Sequence, residues 1–361
     1  MADIFDYIEK NGQLNFNEKP FTILDGLVFA GISYLPFIIP KNEKLISQGV
    51  LKELIFALIN DETALDKCIL RKRDPQLARY VLKSSRYSEI KVFDYVERID
   101  EEADEQFSAL TFLLEDGNLF IAFSGTDSTI VGWKENLNMS FVYETSGQAS
   151  AVEYVQRIAY RFPSSKIMLG GHSKGGNLAV YAGAFIPRNV QDRILQIYNF
   201  DGPGFLEETT QKPSYLRIKP RITTIIPRSS IVGTILEQTD SYIPIHARGV
   251  TIIDQHLFYN WKIEGDNFVV AKNISEMSIR SHYALRHLLS KMSFEEREKF
   301  VNILGRLANS TEKRTLKEIR ANAASCTKEI IDEYKTLTEI EKKLVKQTFL
   351  QLALSFVKGP K

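Results

Sequence analysis

One glycine-rich segment has the residue types and spacing of a serine nucleophile. Residues 170–176 read Gly-Gly-His-Ser-Lys-Gly-Gly, which places Ser173 in a Gly-x-Ser-x-Gly pattern. The apolar run 167–169 precedes the segment, and small and apolar residues follow it to position 185. A strand that enters a tight turn and a helix that leaves it would hold the serine in strained torsions. The segment therefore predicts a nucleophile elbow, and a glycine-rich turn that only packs is the alternative.

The helix predicted after Ser173 would itself favour acyl chemistry. Its free N–H groups and its positive dipole end lie beside the serine, where negative charge develops on an attacked carbonyl. A phosphate-binding loop fits the segment less well, because the order Gly-Lys-Ser/Thr is missing.

A second segment, 121–127, ends an apolar strand in a Gly-Thr turn. It reads Ile-Ala-Phe-Ser-Gly-Thr-Asp, and Trp133 and the pair Asn136-Leu137 follow it. Here the sequence resembles the class 3, or fungal-type, triacylglycerol lipases, which carry Phe-Arg-Gly-Thr/Ser and then Trp-x-x-Asn/Asp-Leu.

The resemblance implies a lipase-like oxyanion hole. Thr126 would contribute its backbone N–H and its hydroxyl, and the backbone N–H of Lys174 would be the second donor. Ser124 stands where the family has arginine, although the Gly-Thr core is intact. Over about residues 20–262 the sequence looks most like a poorly characterised bacterial branch of lipase-like proteins.

A serine hydroxyl needs a base and an acid that orients the base. In the α/β-hydrolase fold the acid follows the serine along the chain, and the histidine follows the acid. We predict His256 as the base, because it follows the apolar run 250–253, which reads as a strand. The lipase-like branch also has a Gln-His pair shortly before a tryptophan. His246 is the second choice.

The remaining histidines fit other roles. His282 and His287 are five residues apart in a helical stretch, which suits neither a metal pair nor a base on a loop. His172 lies inside the elbow, where we expect it to pack or to line the pocket.

The best acid is Asp201, which directly follows the strand predicted at 194–200. The class 3 lipases instead place an Asp before an Ile/Val-Val-Pro-Arg run, and Thr224 occupies that position here. This difference favours Asp201, with Asp240 and Asp254 as alternatives.

The order of elements predicts an α/β-hydrolase fold, with a mostly parallel central sheet and helices on both faces. Runs on either side of Asp116-Gly117 predict a hairpin, and further strands are expected at 221–226, 250–253 and 267–270. We expect a hydrolase domain over 1–290, in which 41–90 form a helical insertion or cap. Residues 291–361 read as a C-terminal helical extension.

The composition excludes several classes of function. The 46 basic and 45 acidic residues give no reason to expect nucleic acid as a partner. Two cysteines without supporting ligands predict neither a disulfide framework nor a metal site, and no cofactor is indicated. The N-terminus is acidic where a signal peptide is basic, and no integral membrane segment is expected. The cytoplasm is the expected location.

Together these patterns predict a serine carboxylester hydrolase, lipase- or esterase-like, that forms an acyl-enzyme on Ser173. Its substrate would be a small-molecule or lipid ester. An acyltransferase or thioesterase would use the same groups. A non-catalytic interaction protein that keeps the fold is the third possibility, and the oligomeric state stays open.

Overall fold

A computed structural model describes residues 1–37, 49–70, 72–127, 129–237 and 241–359. An eight-stranded sheet lies at its centre, with the strands in sequential order. The strands are β1 Gly49–Val50, β2 Lys91–Asp100, β3 Glu105–Leu113, β4 Leu119–Phe123, β5 Ile167–His172, β6 Ile194–Phe200, β7 Ile222–Pro227 and β8 Tyr242–Ile245. A separate antiparallel pair is formed by β9 Ile263–Glu264 and β10 Asn267–Phe268.

The helices precede, alternate with and follow the strands. They are α1 Ile4–Asn11, α2 Ile23–Ile32, α3 Leu51–Ile59, α4 Glu62–Lys67, α5 Arg73–Leu82, α6 Ser85–Ser88, α7 Ile130–Asn138, α8 Ser146–Arg161, α9 Lys174–Phe185, α10 Arg188–Gln191, α11 Glu207–Thr210, α12 Pro213–Ile218, α13 Ile252–His256, α14 Glu276–Lys291, α15 Phe294–Asn309, α16 Leu316–Ala321, α17 Ala323–Thr336 and α18 Glu339–Lys358. Short 3₁₀ turns lie at Lys219–Arg221, Val232–Thr234 and Phe258–Asn260.

The sheet is antiparallel from β1 to β4 and parallel from β4 to β8. Alternate residues of β4 enter two different cores. Phe120 and Ala122 pack in the core that holds α1 and α2, whereas Ile121 and Phe123 pack in the core that holds α8 and α9. Because side chains alternate across a strand, both faces of the sheet are covered. The predicted α/β-hydrolase fold and the helical C-terminal region are confirmed.

The hairpin predicted at Asp116-Gly117 joins β3 and β4. Leu113 pairs with Leu119, and Gly117 has a φ of 79°, which a glycine adopts without strain. The insertion expected at 41–90 is helical over α3 to α6, and its first residues, up to 48, lie outside the described part of the chain.

The strand predicted at 250–253 is wrong. These residues are exposed, and α13 begins at Ile252 with a capping box formed by Thr251 and Asp254. Short apolar runs do not separate strand from helix by periodicity, and here the capping residues decide. The strand expected at 267–270 is also shorter, since β10 covers only Asn267–Phe268.

The C-terminal helices meet the sheet domain at α7. The backbone N–H of Ile130 donates to the Arg314 carbonyl at 3.0 Å, and Thr129 bridges to Thr315. None of the helices in the described ranges is both long and apolar enough to cross a membrane. Cys68 and Cys326 are both buried, and neither forms a disulfide bond within the described residues.

Asp74 is a buried acid in the helical layer. Its carboxylate accepts hydrogen bonds from the Tyr259 hydroxyl at 2.9 Å and from the Leu70 N–H at 2.8 Å. Burial raises the pKa of Asp74 from 3.8 to about 6, since these donors offset the loss of solvation only in part.

We expect Asp74 to make the fold less stable as the pH rises. A raised native pKa contributes stability that is complete below about 3.8 and is lost as the pH passes about 6. Relative to Asp74→Asn, the wild type should lose up to roughly 3 kcal/mol of unfolding free energy between about pH 4 and 7. Urea unfolding at several pH values measures this, with the exposed turn variant Asp116→Asn as control. An unchanged difference across this range would contradict it.

Candidate active site

Ser173 lies at the turn between β5 and α9, as predicted. Its backbone is left-handed, with φ 58° and ψ −133°, which costs free energy in a residue with a side chain. The Ser173 N–H donates to the Phe200 carbonyl at 2.9 Å, which ties the turn to the end of β6. The strained serine is therefore held by the neighbouring strand.

The elbow needs its glycines because backbones touch there. A Cβ atom on Gly175 would lie 2.1 Å from the Phe123 carbonyl oxygen, and one on Gly171 would lie 2.3 Å from the Gly175 carbonyl carbon. Real Cβ atoms do not approach backbone atoms so closely, so both positions exclude any side chain. Strands β4 and β5 and helix α9 thereby meet directly around Ser173.

Asp201 lies at the end of β6, fully buried, with a positive φ of 53°. Its carboxylate accepts hydrogen bonds from the Ser230 hydroxyl at 2.6 Å and the Gly233 N–H at 3.1 Å. Its Oδ2 atom lies 2.6 Å from His256 Nδ1. Burial raises the pKa of Asp201, and the donors from His256, Ser230 and Gly233 oppose that rise.

His256 ends helix α13 and lies where the site opens to solvent, with 20% of its side chain exposed. Because Nδ1 is used by Asp201, Nε2 is the ring nitrogen left for a proton transfer. Ser173 is partly exposed, and the ring centroid of the preceding residue, His172, lies 4.5 Å from that of His256. In the described residues no hydrogen bond joins the Ser173 hydroxyl to this imidazole.

His172 packs against His256, with the two ring centroids 4.5 Å apart. Its Nε2 atom lies 2.8 Å from the His256 carbonyl and must donate to it, so Nδ1 is the acceptor side of a neutral ring. The Tyr34 hydroxyl lies 2.9 Å from that Nδ1 atom. Burial lowers the pKa of His172 well below its usual range, which keeps the ring neutral. His172 therefore packs against His256, and packing was one of the two roles that we expected for it.

Thr126 lies in the turn after β4, and its hydroxyl oxygen accepts a hydrogen bond from Asn136 Nδ2 at 2.7 Å. Lys174 begins α9, and its side chain turns into the interior, where Nζ lies 2.7 Å from Glu135 Oε2. The Lys174 N–H belongs to the first turn of a helix, where N–H groups have no partner inside the helix.

The other histidines downstream of Ser173 make different contacts. His282 Nδ1 is bonded to the Thr234 carbonyl, and the ring of His287 stacks on Tyr283 at 5.6 Å. His246 joins the sheet edge through its backbone, which pairs with Val269 and Lys262.

The structure describes one of the two alternative acids. Asp254 caps α13 with Thr251, and this hydrogen bonding lowers its pKa. Asp240 lies outside the described residues. Thr224 is buried within β7, in register with Asn199.

Three residues that contact the site residues were not predicted from the sequence. Ser230 and Tyr34 reach the site from positions 29 residues after Asp201 and 138 residues before His172. No local spacing signals such contacts. Glu135 stood inside the Trp-x-x-Asn segment, and a charged residue on the buried side of a helix was the only available signal.

A cavity of about 690 Å³ lies beside the turn that follows β4 and is not lined by Ser173. Tyr34, Ser124, Asp127 and Glu318 are among its lining residues, whereas Ser173 and His256 are not. Within the described ranges, no cluster of His, Cys, Asp or Glu side chains could hold a metal ion.

Solved structures similar to this chain include three lipases. M37 lipase is 15% identical, with a TM-score of 0.38, over 58% of this chain and 68% of its own. The Rhizomucor miehei lipase in its propeptide complex is 13% identical, with a TM-score of 0.37, over 62% and 68%. Lipase II from Rhizopus niveus is 13% identical, with a TM-score of 0.33, over 59% and 74%. At these values the similarity assigns no role to any residue here.

No curated protein sequence matches the chain. The sequence profile of the family described as Mbeg1-like matches residues 81–305, which hold β2 to β8, Ser173, Asp201 and His256. Because this match spans more than half of the 361 residues, the chain belongs to the Mbeg1-like family.

Proposed function

We propose that the chain is a serine hydrolase that cleaves a carboxylic ester through an acyl-enzyme on Ser173. The observation that carries the proposal is the 2.6 Å contact between His256 Nδ1 and the buried Asp201. The positive φ of Ser173, at the turn into α9, supports it. A buried carboxylate on one nitrogen of an imidazole fixes the tautomer that leaves the other nitrogen as a base.

Ser173 would attack the ester carbonyl while His256 Nε2 takes its proton. Asp201 would keep the imidazole oriented and stabilise the positive charge that it acquires. The N–H groups of Thr126 and Lys174, with the Thr126 hydroxyl, would stabilise the oxyanion. His256 would then protonate the leaving alcohol, and water would release the acyl group by the same route.

The proposed substrate is a small-molecule or lipid ester. The same groups would also serve a thioester donor or a second acyl acceptor, because the acyl-enzyme is common to all three reactions. Product analysis of a chromogenic ester series, with and without added alcohol or thiol, distinguishes hydrolysis from transfer.

Ser173→Ala should abolish covalent labelling by a fluorophosphonate, because the probe reacts only with an activated serine. Ester hydrolysis should fall by about 10³-fold or more. Mass spectrometry of the labelled peptide and initial rates over several acyl chain lengths measure both effects. Ser290→Ala, an exposed serine in α14, is the matched control and should keep both. Equal labelling of Ser173→Ala and wild type would refute the nucleophile and favour a non-catalytic role.

Asp201→Asn should lower kcat by roughly 10³- to 10⁴-fold, because an amide no longer fixes the imidazole tautomer or balances its charge. Asp254→Asn is the matched control, since it is the same change in the helix that carries His256. Its kcat should stay within about threefold of wild type. Steady-state kinetics with melting curves separate an effect on chemistry from an effect on folding. A larger loss in Asp254→Asn than in Asp201→Asn would reverse the assignment of the acid.

A further inference from the structure

A buried ion pair lies next to the proposed nucleophile. Lys174 Nζ is 2.7 Å from Glu135 Oε2, and neither side chain is exposed to solvent. Lys174 Nζ also donates to the Gln106 carbonyl. The proposed mechanism uses the backbone of Lys174 and leaves this ammonium group without a role.

The carboxylate of Glu135 is fully engaged. Besides Lys174, it accepts the Gln106 N–H at 3.1 Å and the Gly147 N–H at 2.7 Å. Such a pair is a weak source of stability, since desolvation offsets most of the attraction and apolar replacements are often as stable. Stability alone therefore does not account for two buried charges at this position.

The two charges belong to the two halves of the proposed oxyanion hole. Lys174 follows Ser173 directly and carries one donor on its own backbone. Glu135 precedes Asn136, which holds the hydroxyl of Thr126 at 2.7 Å. The ion pair is thus a direct link between the elbow and helix α7.

Gln106 adds a second link between the same two parts. Its backbone contacts both charged groups, and its side-chain oxygen accepts the Asp127 N–H at 3.4 Å. Asp127 follows Thr126, so the oxyanion turn is connected to the ion pair from two sides.

We propose that Lys174 and Glu135 are positioning residues whose ion pair sets the distance between the Lys174 N–H and Thr126. The inference rests on the proposed function, because this distance matters only if both groups bind one oxyanion. Donors stabilise developing charge when they are held in place beforehand, so a small displacement slows the chemical step more than substrate binding.

The first test is Lys174→Met, which keeps the backbone N–H and similar volume but removes the ammonium group. Both kcat and the fluorophosphonate labelling rate should fall about 10- to 100-fold, with KM within about twofold of wild type. The unpaired Glu135 should also lower the melting temperature, so rates are measured well below it.

The second test moves Glu135 without removing a charge. A Cβ atom on Gly147 would lie 2.4 Å from Glu135 Oε1, so Gly147→Ala displaces the carboxylate. Alanine favours the helix α8, in which residue 147 lies, so the fold should lose less stability than in Lys174→Met. The labelling rate should nevertheless fall at least about fivefold. This variant keeps the proposal testable if Lys174→Met does not fold.

The matched control is Arg86→Met. Arg86 and Asp25 form an equally unexposed pair at 2.8 Å, which ties α6 to α2. This variant should lose thermal stability and keep its labelling rate within about threefold. If Lys174→Met and Gly147→Ala also keep the wild-type rate, the pair is structural only and the proposal is overturned.

Hydrogen exchange separates this proposal from the proposed function. Peptides that cover residues 125–137 should exchange faster in Lys174→Met and Gly147→Ala than in wild type or Arg86→Met. Absence of labelling in the wild type would refute the hydrolase while this exchange still tests the link. Unchanged exchange in both variants would overturn the link whatever the activity.

Discussion

The close backbone contact around Gly171 and Gly175 is the constraint on which the positions of the other site residues depend. At Gly171 and Gly175 the strands β4 and β5 and helix α9 pass without room for a Cβ atom. This contact forces Ser173 into a left-handed conformation and points the first turn of α9 at the serine. It also sets the Gly-Thr turn after β4 beside the elbow, because β4 and β5 pair in parallel up to Phe123 and Gly171.

The positions of Asp201 and His256, the proposed acid and base, depend on these backbone contacts through the next strand, β6. The Ser173 N–H donates a hydrogen bond to the carbonyl of Phe200, the last residue of β6, and Asp201 follows that strand directly. Exposure increases from Asp201, which is fully buried, to His256 and the partly exposed Ser173. The Asp201 carboxylate therefore lies in a region of low dielectric, where it would interact strongly with an imidazolium, while the atoms proposed to react stay reachable from solvent.

The parts of the site that could be predicted are those encoded by contiguous residues. The elbow, the β3–β4 hairpin and the position of Asp201 after a strand each need only a short stretch of sequence. The contact between Asp201 and His256 could be anticipated from the order of elements, although His256 ends a helix and not a strand. Ser230, Tyr34 and the Lys174–Glu135 pair could not, because tertiary packing alone brings these residues together.

Helix α7 is the element that positions Thr126 and, with it, one half of the proposed oxyanion hole. Among the contacts that hold this helix are those of Asn136 with Thr126, of Glu135 with Lys174, and of Ile130 with Arg314. The first two lie within the residues shared with the family profile, and the third comes from beyond them. Arg297 of α15 also donates to the Ser140 carbonyl at 2.7 Å, just past the end of α7. The C-terminal helices therefore contact both ends of the helix that orients Thr126.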